Sequence, residues 1–212
     1  MQDDLFGAPP PAAPTPKLSA ASTAFRRTAQ GVRPAAPPEE VLTLASAIPV
    51  GLRLGVSTWS YPGWEGLVWD GAYDSSVLSR KGLTALSAHP LMGTVCVDRT
   101  FWRPLTVEQY AQYAAQVPDD FRFMVKCPNA VTDALVRDPE GQGQQHPAFL
   151  DAQIALTQFV QPALEGLGPK LGVLVFQLSP LPWQWLRDFS QLMQRLRELL
   201  AQVREALRTH PQ

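Results

Sequence analysis

The sequence predicts an α/β protein from about Gly51 onward, with a parallel sheet like the first half of a TIM-type barrel. Four short apolar runs alternate with longer amphipathic segments, and this alternation is typical of parallel sheets with right-handed crossovers. A complete eightfold barrel needs roughly 250 residues, whereas the chain has 212 residues and its first 50 have no core-forming pattern. We therefore expect a truncated half-barrel of four β/α units over residues 51–212.

The pattern assigns each strand and helix in turn. We interpret the apolar runs 52–57, 94–98, 121–126 and 171–177 as strands one to four. Helices are expected at residues 77–89, 106–117, 147–164 and 185–207, and Thr106 with Gln109 forms a capping box at the start of the second. The stretch 138–145 is interpreted as a loop. The fourth strand is apolar almost throughout, as expected of a strand that is covered on both faces.

Residues 1–50 are predicted to form a disordered tail rich in Pro and Ala. Pro and Ala favour extended, solvated backbone and bury too little apolar surface to offset the entropy of ordering. A short helix at residues 39–47 is compatible with the pattern.

Composition excludes several classes of function. The net charge of −1 gives no overall basic field for nucleic acid. There is neither a signal peptide nor an apolar stretch of membrane-spanning length, so we expect a cytoplasmic protein that does not bind membranes. Cys96 and Cys127 lie in apolar runs and are interpreted as buried thiols. No Cys/His spacing suits a metal, and no cofactor is expected.

Polar and aromatic side chains follow the predicted strands at their carboxyl ends, where parallel α/β folds bind ligands. They suit an anionic or polar, ring-bearing ligand. Asp98 and Lys126 are candidate catalytic residues, and the candidate ligand-binding residues are Trp59, Tyr61, Arg99 and Gln177. Each has an alternative role: Asp98 and Arg99 as solvated or paired loop charges, the aromatics as a seal of the barrel mouth, and Gln177 as a structural hydrogen-bonding group. A lysine such as Lys126 is costly at the end of an apolar strand unless it is paired or used.

Four stretches resemble the family called domain of unknown function 72 (DUF72, YecE-like). They are Gly55-Val56-Ser57-Thr58-Trp59-Ser60-Tyr61-Pro62-Gly63-Trp64, Thr94-Val95-Cys96-Val97-Asp98-Arg99-Thr100-Phe101-Trp102, Asp120-Phe121-Arg122-Phe123-Met124-Val125-Lys126 and Val175-Phe176-Gln177-Leu178-Ser179-Pro180. The resemblance implies a TIM-type barrel with no settled activity, and it supports site roles for Lys126, Gln177, Trp59 and Tyr61. It also implies a chain shorter than its relatives, which carry further strands after the fourth helix.

The sequence departs from the common family pattern at three places. Cys96-Val97-Asp98 stands where Glu-Ile-Asn is common, Thr132-Asp133 replaces Thr-His, and Ser179-Pro180 replaces Pro-Pro. A branch of the family looks closer to the Asp98-Arg99 form. The roles of the family's Glu and His are therefore not carried over.

Three functions remain open at this stage. The first is a barrel that binds or converts a small anionic or polar substrate, with Asp98 as acid or base; whether it is an enzyme is undecided. The second is a non-catalytic truncated fragment, whose open strand edges and uncovered sheet face predict self-association.

The third is an accessory protein of DNA transactions. Its N-terminal residues Gln2, Leu5 and Phe6 would dock on the sliding clamp of DNA polymerase, with a Gln amide at the pocket rim and an apolar pair in a cleft. Chance recurrence of so short a motif is the alternative.

Overall fold

The structure is a computed structural model that describes residues 31–137 and 143–210. Its centre is a parallel sheet of four strands in the order β1-β2-β3-β6, which confirms the predicted α/β fold. β4 and β5 form a separate antiparallel pair, and β5 lies in the stretch 138–145 that the sequence predicts to be a loop. The strands are β1 Gly55–Val56, β2 Thr94–Val97, β3 Arg122–Lys126, β4 Leu135–Arg137, β5 Gly143–Gln145 and β6 Leu171–Val175.

Helices lie before, between and after the strands of the main sheet. They are α1 Glu39–Ser46, α2 Ser75–Ser87, α3 Val107–Ala114, α4 Asn129–Thr132, α5 Ala152–Ala155, α6 Gln161–Leu167, α7 Trp183–Arg187 and α8 Phe189–Thr209. A π-helical segment, Leu156–Val160, joins α5 to α6. The predicted capping box of α3 is confirmed, because Thr106 and Gln109 each accept the other's backbone N–H.

The last predicted helix is divided in two. Asp188 ends α7 and caps α8, because its carboxylate accepts the backbone N–H of Gln191. An aspartate is a favourable N-cap, so this local hydrogen bond starts a new helix within the segment that the apolar periodicity predicts to be a single helix.

Only one face of the main sheet is buried within the described residues. Val95 and Val97 of β2 and Phe123 and Val125 of β3 are at most 1% exposed and belong to a core shared with α2, α3 and α6. Side chains alternate along a strand, so the intervening residues point to the other face. Cys96, Met124 and Val173, which are paired in register across three strands, lie on that other face. Among the described residues the sheet therefore has helices packed on one face only.

The prediction that the fourth strand is covered on both faces was wrong. In β6, Val173 is 51% exposed and Gly172 is exposed as well. The described residues supply helices to one face of the sheet only, and β6 has β3 as its single strand neighbour among them. An unbroken apolar pattern therefore does not distinguish a covered strand from one whose second face is open.

The segment before β1 contacts the folded unit, although residues up to 50 were predicted as a disordered tail. Val32 is 7% exposed, and Arg33 and Ala35 exchange backbone hydrogen bonds with Asp70 and Val68. The Arg33 guanidinium also pairs with Asp70 at 3.0 Å. Residues 1–30, which hold the rest of the predicted tail, lie outside the described part of the chain.

No described helix combines the length and apolar character needed to cross a membrane.

Candidate functional site

The strand-end cleft is a polar cavity at the carboxyl ends of β1 and β2, with a volume of about 480 Å³. Its walls combine hydroxyls, a thiol, a carboxylate, a guanidinium and one indole. They are formed by Ser57, Thr58, Trp59, Ser60, Ser79, Cys96, Asp98 and Arg99. This position agrees with the general location of ligand sites in parallel sheets.

Asp98, Lys126 and Cys96 form a charged centre at the cleft: Asp98 and Cys96 line the cavity, and Lys126 contacts Asp98 from outside its lining. The Lys126 ammonium lies 2.9 Å from Asp98 Oδ1, and the Cys96 thiol donates to the same oxygen at 3.0 Å. Both contacts end on Oδ1, and within the described part of the chain no hydrogen bond reaches Oδ2. The two catalytic candidates thus lie together, and the second carboxylate oxygen is available to a ligand.

The electrostatics of the centre favour an ionised carboxylate and a neutral thiol. Desolvation opposes ionisation of Asp98, but the hydrogen bonds from Cys96 and Lys126 and the lysine charge outweigh it, so the pKa of Asp98 is lowered. Burial raises the pKa of Cys96 to about 12, with further contributions from the hydrogen bond to Asp98 and its charge. At neutral pH Asp98 is therefore an acceptor or a base rather than an acid, and Cys96 is a donor.

A buried threonine positions Asp98. The turn that follows β2, Asp98–Phe101, is a short 3₁₀ helix, and Thr100 within it is fully buried. The Thr100 hydroxyl lies 2.6 Å from the carbonyl oxygens of Val97 and Lys126, and its single proton is shared between them. This single hydroxyl ties the turn that carries Asp98 to the end of the strand that carries Lys126.

Arg99 is held at the cleft by an aromatic pair. Its guanidinium donates to the Tyr113 hydroxyl at 2.8 Å, and the Tyr113 ring packs edge-on against Trp59 at 5.1 Å. Arg99 is exposed and forms no salt bridge with another described residue. It is thus an oriented cation that no carboxylate among the described residues neutralises.

The other predicted ligand-binding residues are less closely associated with this centre. Trp59 lines the cleft but is 6% exposed, and its indole N–H donates to the Ser79 carbonyl, so most of its surface is used in packing. Tyr61 is 54% exposed and packs on Trp64, outside the lining of the cleft. Gln177 is exposed beyond the end of β6 and does not line it either.

A second cavity of about 480 Å³ lies beside the turn after β2. It is formed by Phe101, Trp102, Asn129, Asp133, Leu135, Val136, His146 and Ser179. Phe101 links it to the charged centre, because the Lys126 ammonium is 6.0 Å from the Phe101 ring centroid. The turn after β2 therefore contributes to both cavities, with Asp98 and Arg99 in the first and Phe101 in the second.

A third and larger cavity, about 680 Å³, lies between β6 and α8. Its lining is mostly aliphatic and includes Val173, Leu174 and Leu200. Arg122, Arg204 and His210 also line it, but the described lining includes no carboxylate that could act with them.

Cys96 was missed as a site residue. Its place in an apolar run led to its interpretation as a buried thiol, whereas it is half-buried and faces the cleft. The signal was present in the strand period: Cys96 precedes Asp98 by two residues, and such residues share a face of the sheet. Cys127 is fully buried, as predicted.

The family model described as Protein of unknown function DUF72 matches residues 53–210. The chain belongs to the DUF72 family. This confirms the family resemblance of the four sequence stretches, three of which supply residues of the charged centre and its cleft.

Two solved structures, both of a DUF72 family protein from Enterococcus faecalis V583, are similar to the chain. The first has 18% sequence identity and a TM-score of 0.41, and the match covers 68% of this chain and 46% of that one. The second has 17% identity and a TM-score of 0.37, with 68% and 47% covered. The chain therefore spans about half the length of these DUF72 relatives. The comparison with curated proteins gave no match.

Two further predictions concern metals and the sliding clamp. Within residues 31–137 and 143–210, no group of three or more His, Cys, Asp or Glu side chains is arranged to hold a metal ion. Gln2, Leu5 and Phe6 lie outside the described residues, so clamp docking stays a prediction from the sequence.

Proposed function

We propose that this DUF72 chain binds a small anionic or polar molecule in the strand-end cleft. Lys126 and Arg99 would hold the anionic group, and Asp98 would accept a hydrogen bond or a proton from the ligand. The observation that carries the proposal is the 2.9 Å contact between the Lys126 ammonium and Asp98, a carboxylate that lines the polar cleft.

The charge balance of the cleft supports an anionic ligand. Asp98 neutralises one cation, Lys126, while Arg99 has only the neutral Tyr113 hydroxyl as its side-chain partner among the described residues. A guanidinium with a free edge matches the geometry of carboxylate and phosphate groups. The hydroxyls of Ser57, Thr58 and Ser60 add donors that adapt to such oxygens.

The ionised state of Asp98 defines the chemistry that the centre would support. A carboxylate with a lowered pKa, backed by a neighbouring ammonium, is a weak base that does not donate a proton at neutral pH. The proposal is therefore binding, or conversion through proton abstraction from an acidic group, rather than general acid catalysis by Asp98.

Calorimetric titration of the intact chain with inorganic phosphate and with sulfate tests the proposal. Lys126→Met removes the charge while preserving most of the side-chain length, and it should weaken binding by about tenfold, the effect of losing roughly 1.4 kcal/mol. Lys81→Met is the matched control, because Lys81 is an exposed lysine of α2 away from the cleft. Circular dichroism should show the same secondary structure for all three proteins.

Equal phosphate and sulfate binding by the wild type and Lys126→Met would refute a ligand role for Lys126. A further loss on Arg99→Gln is expected, because this change removes the second cation of the cleft. The absence of any binding to the wild type at millimolar anion would contradict the proposal as a whole.

We further propose that the sheet is half of a TIM-type barrel. Support comes from its all-parallel strands, their sequential order and the helices confined to one face, as in the outer ring of such barrels. The uncovered row of Cys96, Met124 and Val173 would then belong to the barrel interior.

A further inference from the structure

We propose that the second cavity is a subsite for an uncharged, planar nitrogen heterocycle of the nucleobase type, joined in one ligand to the anionic group at Lys126. The ring cavity, as we name this second cavity, is the one lined by Trp102, Asn129 and His146. The inference rests on the proposed function for its anionic half, and it names the class of ligand that the site would take.

Trp102 provides the stacking surface of the ring cavity. Although its side chain is large and apolar, Trp102 is 77% exposed. The Phe101 ring packs edge-on against it, with the ring centroids 5.0 Å apart. An exposed, braced indole is suited to stacking with a planar ring, which would remove its apolar face from water.

The polar walls of the ring cavity suit the edge of a heterocycle. Asn129 presents an amide, which is both donor and acceptor, and Ser179 presents a hydroxyl. His146 Nδ1 accepts the backbone N–H of Ala148 at 3.1 Å, so the neutral imidazole carries its proton on Nε2 and is a donor there. Leu135 and Val136 add apolar surface.

The charges of the two cavities differ in a way that orients a ligand. Among the residues whose side chains the structure describes, the lining of the ring cavity includes the acidic Asp133 and no Lys or Arg, which disfavours an anion there. The ammonium of Lys126 is 6.0 Å from the Phe101 ring, and Phe101 is 5.0 Å from Trp102. Phe101 therefore lies between the Lys126 ammonium and the Trp102 ring. One ligand with a neutral ring and an anionic group would contact both the ammonium and the ring.

A sugar ring fits the ring cavity less well. A pyranose has hydroxyls around its whole rim that need polar partners, whereas four of the eight described lining residues are apolar, namely Phe101, Trp102, Leu135 and Val136. A heterocycle has apolar faces and a polar edge, which matches this division of the walls.

Calorimetric titration of the full chain with adenosine 5′-monophosphate, uridine 5′-monophosphate, adenosine, glucose 6-phosphate and inorganic phosphate tests the inference. At least one nucleotide should bind about tenfold more tightly than phosphate or glucose 6-phosphate, as expected for one stacked base. Trp102→Leu should reduce nucleotide binding to the level of phosphate and leave phosphate binding unchanged. Trp183→Leu is the matched control, because Trp183 is 71% exposed outside the ring cavity.

The remaining outcomes separate the two proposals. Nucleotide binding no tighter than phosphate binding, or equal effects of Trp102→Leu and Trp183→Leu, would overturn the ring subsite and leave the proposed anion site intact. Preference for glucose 6-phosphate would overturn it as well. If Trp102→Leu and Asn129→Ala both weaken adenosine binding, the ring subsite is supported. Unchanged phosphate binding by Lys126→Met would refute the proposed function alone and leave this support for the ring subsite in place.

Discussion

Replacement of Thr100 by valine should destabilise the protein and disturb the site together. Valine has nearly the shape of threonine, so the substitution removes the hydroxyl with little change in volume. The Thr100 hydroxyl is buried and shares its single proton between the carbonyls of Val97 and Lys126, each at 2.6 Å. After the change these contacts are lost, and the turn that carries Asp98 is no longer tied to β3.

The magnitude follows from the chemistry of the lost contacts. One intramolecular hydrogen bond contributes about 1 kcal/mol, and an unsatisfied buried carbonyl costs about 1–3 kcal/mol. We expect Thr100→Val to lower the free energy of unfolding by about 2 kcal/mol, which corresponds to a decrease in Tm of roughly 4–8 °C in a chain of this size. Thr100→Ser retains the hydroxyl and removes one methyl, at a cost of about 1 kcal/mol.

Urea unfolding followed by circular dichroism and by tryptophan fluorescence measures both variants, and coincident transitions would justify two-state treatment. The valine variant should be less stable than the serine variant and should bind phosphate more weakly. A valine variant within about 0.5 kcal/mol of the wild type, or a serine variant less stable than the valine one, would show that packing rather than the hydroxyl holds the turn. That result would refute the reasoning.

Three further predictions concern the charged groups. Iodoacetamide should alkylate Cys96 far more slowly than it alkylates glutathione at pH 8, because the pKa of about 12 keeps the Cys96 thiol neutral. Asp98→Asn should accelerate the alkylation of Cys96, as measured by mass spectrometry. No acceleration would contradict the role of the carboxylate in raising this pKa. The Lys126–Asp98 pair should contribute less than about 1 kcal/mol, since the Asp98 side chain is 41% exposed. The pKa of Asp98 is lowered in the folded state, so the contribution of the pair is present above the ordinary pKa of Asp and is lost as pH falls through the folded-state pKa. A stability deficit of Lys126→Met that persisted at pH 2 would argue against this contribution. Lys170→Met should cost about 2 kcal/mol in urea unfolding, because the Lys170 ammonium donates to the carbonyls of Ala114 and Val117 at the end of α3, and a loss no greater than that of Lys81→Met would disprove this.

The parts of the site that were predictable from the sequence depend on strand ends. Asp98 and Lys126 follow neighbouring apolar runs, and the carboxyl ends of parallel strands meet at one edge of the sheet. Their ion pair is therefore a consequence of two short-range patterns and one topological rule. The capping box at Thr106 is equally local, because both of its hydrogen bonds join residues three positions apart.

The parts that could not be predicted depend on long-range contacts. Arg99 is oriented by Tyr113 in the following helix, and the ring cavity combines Trp102, His146 and Ser179 from three separate connections. No periodicity in the sequence records such a convergence. The hairpin of β4 and β5 was also missed, because Gly143–Gln145 is exposed and has none of the apolar alternation that identifies a strand.

The attachment of residues 32–35 changes where the folded unit begins. The family match starts at residue 53, yet Val32 is part of the core, and the Tyr73 hydroxyl that accepts the Arg33 backbone N–H also donates to Asp70. A shortened version started at residue 51 would keep every motif shared with the family, but it would lose Val32 from the core and the contacts of Arg33 with Tyr73 and Asp70. Recombinant versions that retain residue 31 should therefore withstand proteolysis better than those designed on the family boundary alone.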